Sequence, residues 1–123
     1  MPTLLDANAV LRYLLEDDPS KADVVERAIA AGAEVTVEVL AECVYVLEGV
    51  YHMSRSLVAE ALGLLLDEVS CARRRIALVA LGLYGASRFD FVDCVLAAEH
   101  DEAHREVLTF DKKLAGLVAR LDG

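Results

Sequence analysis

The chain has 123 residues, 56% of them apolar and 27% charged, with a formal net charge of −9. That length suits a single domain, 1–123, because domains cluster at roughly 100–150 residues and a chain of this size buries roughly two-thirds of its unfolded surface without disulfide staples. The acidic balance excludes a general polyanion coat, since backbone binding of nucleic acid rests on Lys and Arg neutralising phosphates, and the longest uncharged run, IALVALGLYGAS, falls short of the roughly 20 residues a membrane helix needs.

TLLDA reads as a short buried strand, and NAVLRYLLED continues with apolar residues at helical spacing. Pro19 and Ser20 open a second helix, KADVVERAIAA, which Gly32 stops. EVTV is β-branched and alternating, hence a strand, and VEVLAECVYVLEGVY carries a helical period. SRSLVAEALGLLLDEV is a further helix with Ser54 or Ser56 as its cap. VSCA reads as a weak strand, RRIALVALGLYG and DFVDCVLAAEHDEAH as helices, VLTF as a last strand and DKKLAGLVARL as the closing helix. Short apolar strands separated by helices point to an α/β fold with a central parallel sheet covered on both faces, consistent with the high apolar content. In such sheets ligands bind beyond the carboxyl ends of the strands.

Four acids fall at that edge. Asp6 ends the first strand; it can cap the next helix, but so can Asn8, which leaves one of them unexplained. Glu42 lies inside VLAECVYVL, where a charge interrupts an apolar stripe or faces solvent. Glu38, one turn earlier, suits the positive end of the helix dipole. Asp90 and Asp93 imitate a capping box with Asp90 at the cap, yet Asp is too short to complete the box, so the pattern explains Asp90 and leaves Asp93 over. Asp111 is a fair cap for the last helix, and Thr109 just before it fits a strand. Carboxylates gathered on one edge repel one another unless cations lie between them, and all-oxygen ligands select hard ions such as Mg²⁺ or Mn²⁺. Such sites perform phosphoryl and phosphodiester chemistry. Arg12, Arg73, Arg74, Arg75, Arg88, Lys112 and Lys113 are available as a basic rim around an acidic pocket.

Other chemistries lack their signatures. HDEAH places His100 and His104 four apart without the HExxH order, and there is no Walker loop, GxSxG or GxGxxG. Cys43, Cys71 and Cys94 are few, distant and odd in number, which reads as small hydrophobes in a reducing compartment and fits the cytoplasm. The amino terminus shows no targeting pattern.

With LLDANAVLRYLL, VLAECVYVL, FDFVDCVLAAEH and VLTFDKKL in that order, the chain resembles PIN-domain ribonucleases of the VapC toxin type over essentially its whole length. The resemblance implies a three-layer α/β/α PIN-like fold and Mg²⁺- or Mn²⁺-dependent cleavage of single-stranded RNA. It makes Asp6 and Asp93 the principal metal ligands, Glu42 and Asp111 further catalytic acids, and Asn8 and Thr109 polar supports behind them. It also implies a homodimer and a small antitoxin protein that masks the site. Three rival expectations stand beside it: a PIN nuclease of RNA processing with no antitoxin, a PIN-like binding module without catalysis, and a haloacid-dehalogenase-like phosphatase, which also places Asp after its first strand but needs a second Asp where Asn8 stands.

Overall fold

Alternation between apolar runs and capping residues produces seven helices joined by short links. The structure is a computed structural model and describes residues 2–123. The elements are β1 (Thr3–Leu4), α1 (Ala7–Leu15), α2 (Pro19–Ala31), β2 (Ala33–Glu34), α3 (Val37–Gly49), α4 (Arg55–Glu68), α5 (Arg74–Gly85), α6 (Phe91–Ala103) and α7 (Lys112–Leu121). Five helices start where a short polar side chain accepts a backbone N–H bond: Asp6, Asp18, Thr36, Ser54 and Asp111. Each such cap satisfies one of the donors that a helix start leaves without an internal partner.

β1 and β2 are parallel, with Thr3 opposite Ala33 and Leu4 opposite Glu34. Ser70 adds a single parallel bridge to Glu34, so the VSCA segment supplies one rung of the sheet. The class is α/β with a small parallel sheet, and helices carry most of the mass. EVTV contributes to this sheet one residue earlier than its alternation suggests, because Thr36 already serves as the cap of α3.

VLTF is not a strand. Glu106–Phe110 carries no ladder bond to any other element, and Leu108 and Phe110 are 90% and 96% exposed. Its β-branched and aromatic content suits an extended backbone, but a strand also needs a neighbour to take its N–H and C=O groups. Here the chain leaves α6 through left-handed His104 and turns into α7 where Thr109 Oγ1 accepts the Asp111 N–H at 3.0 Å.

The core runs from Val10 and Leu40 through Leu47, Leu62 and Leu65 to Tyr84 and Phe91, all at most 1% exposed. The Tyr84 and Phe91 rings meet edge to face, with centroids 6.1 Å apart, tying α5 to α6. Gly85 makes the crossing of α5 over α4 possible, since a Cβ there would lie 2.9 Å from that of Ala59. Cys43 and Cys94 are buried among these side chains as free thiols, and Cys71 is half-buried. Among the described residues no helix is long and apolar enough to cross a membrane.

Candidate active site

The acids singled out by their positions sit on four helices that pack in sequence: α1 against α3, α3 against α6, and α6 against α7. At the first of these contacts, Asp6 Oδ1 accepts the Ala9 N–H at 2.8 Å, so Asp6 does cap α1. One oxygen suffices for that bond, and the other makes no hydrogen bond on a residue that is exposed. Ala7, the next residue, meets α3 through its carbonyl, which accepts from the Cys43 thiol at 3.9 Å. Burial above all, and then the charges of Glu42 and Asp6, push that thiol up to about 12. Asp6 and Glu42 thus flank the same buried sulfur. Glu42 is exposed between buried neighbours, which answers the sequence question in favour of a solvent-facing carboxylate.

The second group is Asp90, Asp93 and Asp111. Asp93 lies half-buried in the first turn of α6, where the helix dipole favours a carboxylate. Its carboxyl is nonetheless held above the ordinary range, by burial first, then by the negative charges of Asp90 and Asp111. Asp90 corrects the sequence expectation. It occupies the N-cap position of α6 in extended backbone but makes no side-chain cap bond, so the fold leaves its carboxylate unused. Asp111 is a cap, with Oδ1 taking the N–H groups of Lys113 at 2.8 Å and Leu114 at 3.3 Å.

The two polar residues behave differently. Asn8 is exposed in the first turn of α1 and, with Asp6 and Arg12, lines a hollow beside α2. Thr109 spends its hydroxyl on the Asp111 backbone and so positions that residue.

Charge pairing alone does not single these acids out, since Glu16, Glu26, Glu34, Glu38, Glu60, Glu68, Asp101 and Glu106 also make no ion pair among the described residues. Among the described residues, ion pairs take up Asp17, Asp18, Asp23, Glu48, Asp67, Glu99, Glu102 and Asp122, and none takes up Asp6, Glu42, Asp90, Asp93 or Asp111. The expected basic rim divides in the same way. Arg12, Arg73, Arg74 and Arg75 are held by Asp17, Glu99, Asp67 and Glu102, whereas Arg88, Lys112 and Lys113 make no ion pair among the described residues. Those three stand within two residues of Asp90 or Asp111. His100 joins Asp122 at 2.6 Å and the Arg105 carbonyl at 2.8 Å, which is a surface role far from metal ligation.

The unpaired carboxylates suit a hard cation by their chemistry. Among the described residues, however, no three His, Cys, Asp or Glu side chains converge closely enough to form a cage. Mg²⁺ does not require one, because it keeps several waters and takes one or two carboxylates together with substrate phosphate. The acids fall into two groups, Asp6 and Glu42 on either side of the Cys43 thiol, and Asp90 and Asp111 beside Asp93.

Comparison with known proteins identifies the family. The family described as PIN domain matches the chain over residues 3–119, and the chain belongs to that family. No curated protein and no solved structure matches it.

Proposed function

We propose that this PIN-domain protein is a metal-dependent endoribonuclease acting on single-stranded RNA, in the role of the toxin of a toxin–antitoxin pair. The observation that carries the reading is the crowding of unpaired carboxylates where α1, α3, α6 and α7 adjoin: Asp90 and Asp111 act on Asp93, and Asp6 and Glu42 act on the same buried thiol. Carboxylates left in that state, one of them raised above the ordinary range by burial and then by its neighbours, are arranged for a cation from outside the chain.

In this reading Asp6 and Asp93 hold Mg²⁺ or Mn²⁺, with Glu42 and Asp111 completing the acidic edge. The ion, when bound, supplies charge neutralisation at the phosphate and makes water a better nucleophile. The protein's own residues do the rest. The Ala9 N–H fixes one oxygen of Asp6 and leaves the other free, and two amides of α7 fix Asp111 in the same way. Thr109 holds the turn before Asp111, and the Asn8 amide stands beside Asp6 as a donor for a phosphate oxygen or a water. Arg88, Lys112 and Lys113 attract the RNA backbone locally, against the repulsion of a chain that carries −9 overall. Exposed apolar side chains in the turn after α3 and on α4, Val50, Tyr51, Leu57 and Leu64, support a homodimer and an antitoxin contact.

The test is cleavage of a labelled single-stranded RNA by the purified protein in Mg²⁺ or Mn²⁺, with EDTA and Asp93→Asn as controls. EDTA should stop cleavage, and Asp93→Asn should lower it by about a hundredfold or more while the protein stays folded, as expected when a group that stabilises developing charge is removed. Cutting that survives EDTA, or that is equal in Asp93→Asn, would falsify the reading. A protein that binds RNA and never cuts it would instead be the binding module.

A further inference from the structure

Beyond the acidic edge lies a hollow of about 240 Å³ whose walls include Tyr45, Glu48, Arg55, Tyr84, Asp90 and Phe91. Its floor is a closed network. The Tyr84 hydroxyl donates to Glu48, and Arg55 pairs with Glu48 at 3.4 Å. The Arg55 guanidinium lies 3.8 Å from the centroid of the Tyr84 ring and donates to the Tyr84 carbonyl at 3.0 Å and to the Phe89 carbonyl. Every nitrogen of Arg55 is therefore engaged within the protein. Both bonds to Glu48 fall on Oε1, which leaves Oε2 without a partner, and Asp90 makes no side-chain bond at the helix start it occupies. What the hollow presents to a ligand is the half-exposed Tyr45 ring and carboxylate acceptors, with no free side-chain cation.

The hollow also lies where a nucleotide next to the acidic edge would reach. Tyr45 follows Glu42 by three residues on α3, and Asp90 precedes Asp93 by three at the start of α6. Three residues are about one turn, a rise of roughly 4.5 Å along the helix. Single-stranded RNA is read by splaying a base onto an aromatic ring and bonding its Watson–Crick edge. Of the four bases, guanine alone presents two adjacent donors there, N1–H and the N2 amine. Adenine, cytosine and uracil would each set a ring nitrogen or carbonyl acceptor against a carboxylate.

We propose that this hollow is a guanine-selective subsite of the RNA-binding surface, with Tyr45 as the stacking face and Asp90 and Glu48 Oε2 as acceptors for N1–H and the N2 amine. The proposal rests on the ribonuclease reading and adds a base preference to it. A peptide arginine is the competing occupant, since its guanidinium also carries paired donors. The observations favour the base: Arg55 already offsets the charge of Glu48, and the volume exceeds what a guanidinium head fills.

The experiment is fluorescence anisotropy on labelled RNA hexamers of uridine with one central A, C, G or U, in EDTA so that no strand is cut. The guanine hexamer should bind about five-fold or more tightly than the others, as a two-bond base contact does. Inosine, which lacks the N2 amine, should lose most of that gain. Asp90→Asn and Tyr45→Ala should each erase the preference, whereas Tyr45→Phe keeps it. Neither changed residue bonds to the core network, so folding is retained, and circular dichroism checks it. Equal affinities, preference for another base, or a guanine preference that persists in both variants would overturn the subsite. So would an arginine dipeptide that binds at Tyr45 when no hexamer does. Guanine preference in EDTA without cleavage in Mg²⁺ would uphold the subsite and defeat the nuclease reading; cleavage without preference would do the reverse.

Discussion

Helices α1 and α6 begin alike and use their first acid differently. Asp6 and Asp90 both stand at the N-cap in extended backbone, with ψ of 175° and 148°. Asp6 turns one oxygen to the Ala9 amide, whereas Asp90 gives its carboxylate to no amide and leaves it at the mouth of a hollow beside Asp93. A cap position therefore does not make a cap. The first acid serves the fold and offers one oxygen to chemistry; the second serves the fold in no way its hydrogen bonds reveal. Carboxylates without structural employment, held close to others, are costly to keep, which is why the α6 end of the site bears most of the functional argument.

The widest contrast of this kind lies on α3, where Glu38 and Glu42 are one turn apart. Glu38 is exposed in the first turn, where the dipole favours it, and Glu42 faces solvent beside Asp6 across the Cys43 thiol. In the cleavage assay Glu42→Gln should lower activity by roughly 10–100-fold, the range seen when supporting groups of a metal site are removed. Glu38→Gln should stay within about two-fold of the unmodified protein on the same grounds of distance from the site. Equal losses would show that nearness to Asp6 does not set Glu42 apart from Glu38.

The next contrast is one of stability. Asp6→Ala removes a real cap and should cost about 1 kcal/mol in urea unfolding. Asp90→Ala removes no bond and should stay within about 0.5 kcal/mol of the parent, as surface substitutions do. If Asp90→Ala costs as much as Asp6→Ala, Asp90 caps α6 in solution and the comparison fails.

Much of this was legible in the residues. Seven helices, the cap at Ser54 and the sheet contact at Ser70 follow from apolar spacing and cap chemistry, which are local; so does the strand at Thr3–Leu4, although both its residues are exposed and not buried as the apolar run suggested. The strand at VLTF was not, because alternation cannot supply a neighbouring strand. The acids at 6, 42, 93 and 111 stood out by position. That Asp6 with Glu42 and Asp93 with Asp111 form two groups depends on how α1, α3, α6 and α7 pack, which is long-range. Asp90 was hidden by a plausible cap pattern. Its signal was the doubled acid in DFVD, with Asp at the position where a box needs Glu. Nothing in the spacing of Tyr45, Glu48, Arg55 and Tyr84 announced a hollow, since those side chains meet across three helices.

The smallest effect is the pH dependence of Asp93. Burial, Asp90 and Asp111 raise its carboxyl above the ordinary value, so in the folded protein it binds a proton more tightly than in the unfolded chain. Stability then falls as pH rises through that raised value, because the folded state holds more protons than the unfolded state across the window. Below the ordinary carboxylate range both states are protonated and the contribution is fully present; above the raised value it is gone and the ionised group is a burden. Asn cannot ionise and keeps the shape, so Asp93→Asn should unfold at higher urea than the parent at neutral pH. The gain should shrink as pH is lowered into the carboxylate range. Half-exposure and solvent screening keep the difference below the loss at Asp6→Ala. Asp111→Asn, by removing one neighbour, should reduce the gain from Asp93→Asn, and a double-mutant cycle in urea at neutral and acid pH measures that coupling. A gain that is the same at both pH values would mean that packing, not like charge, sets the cost of keeping Asp93.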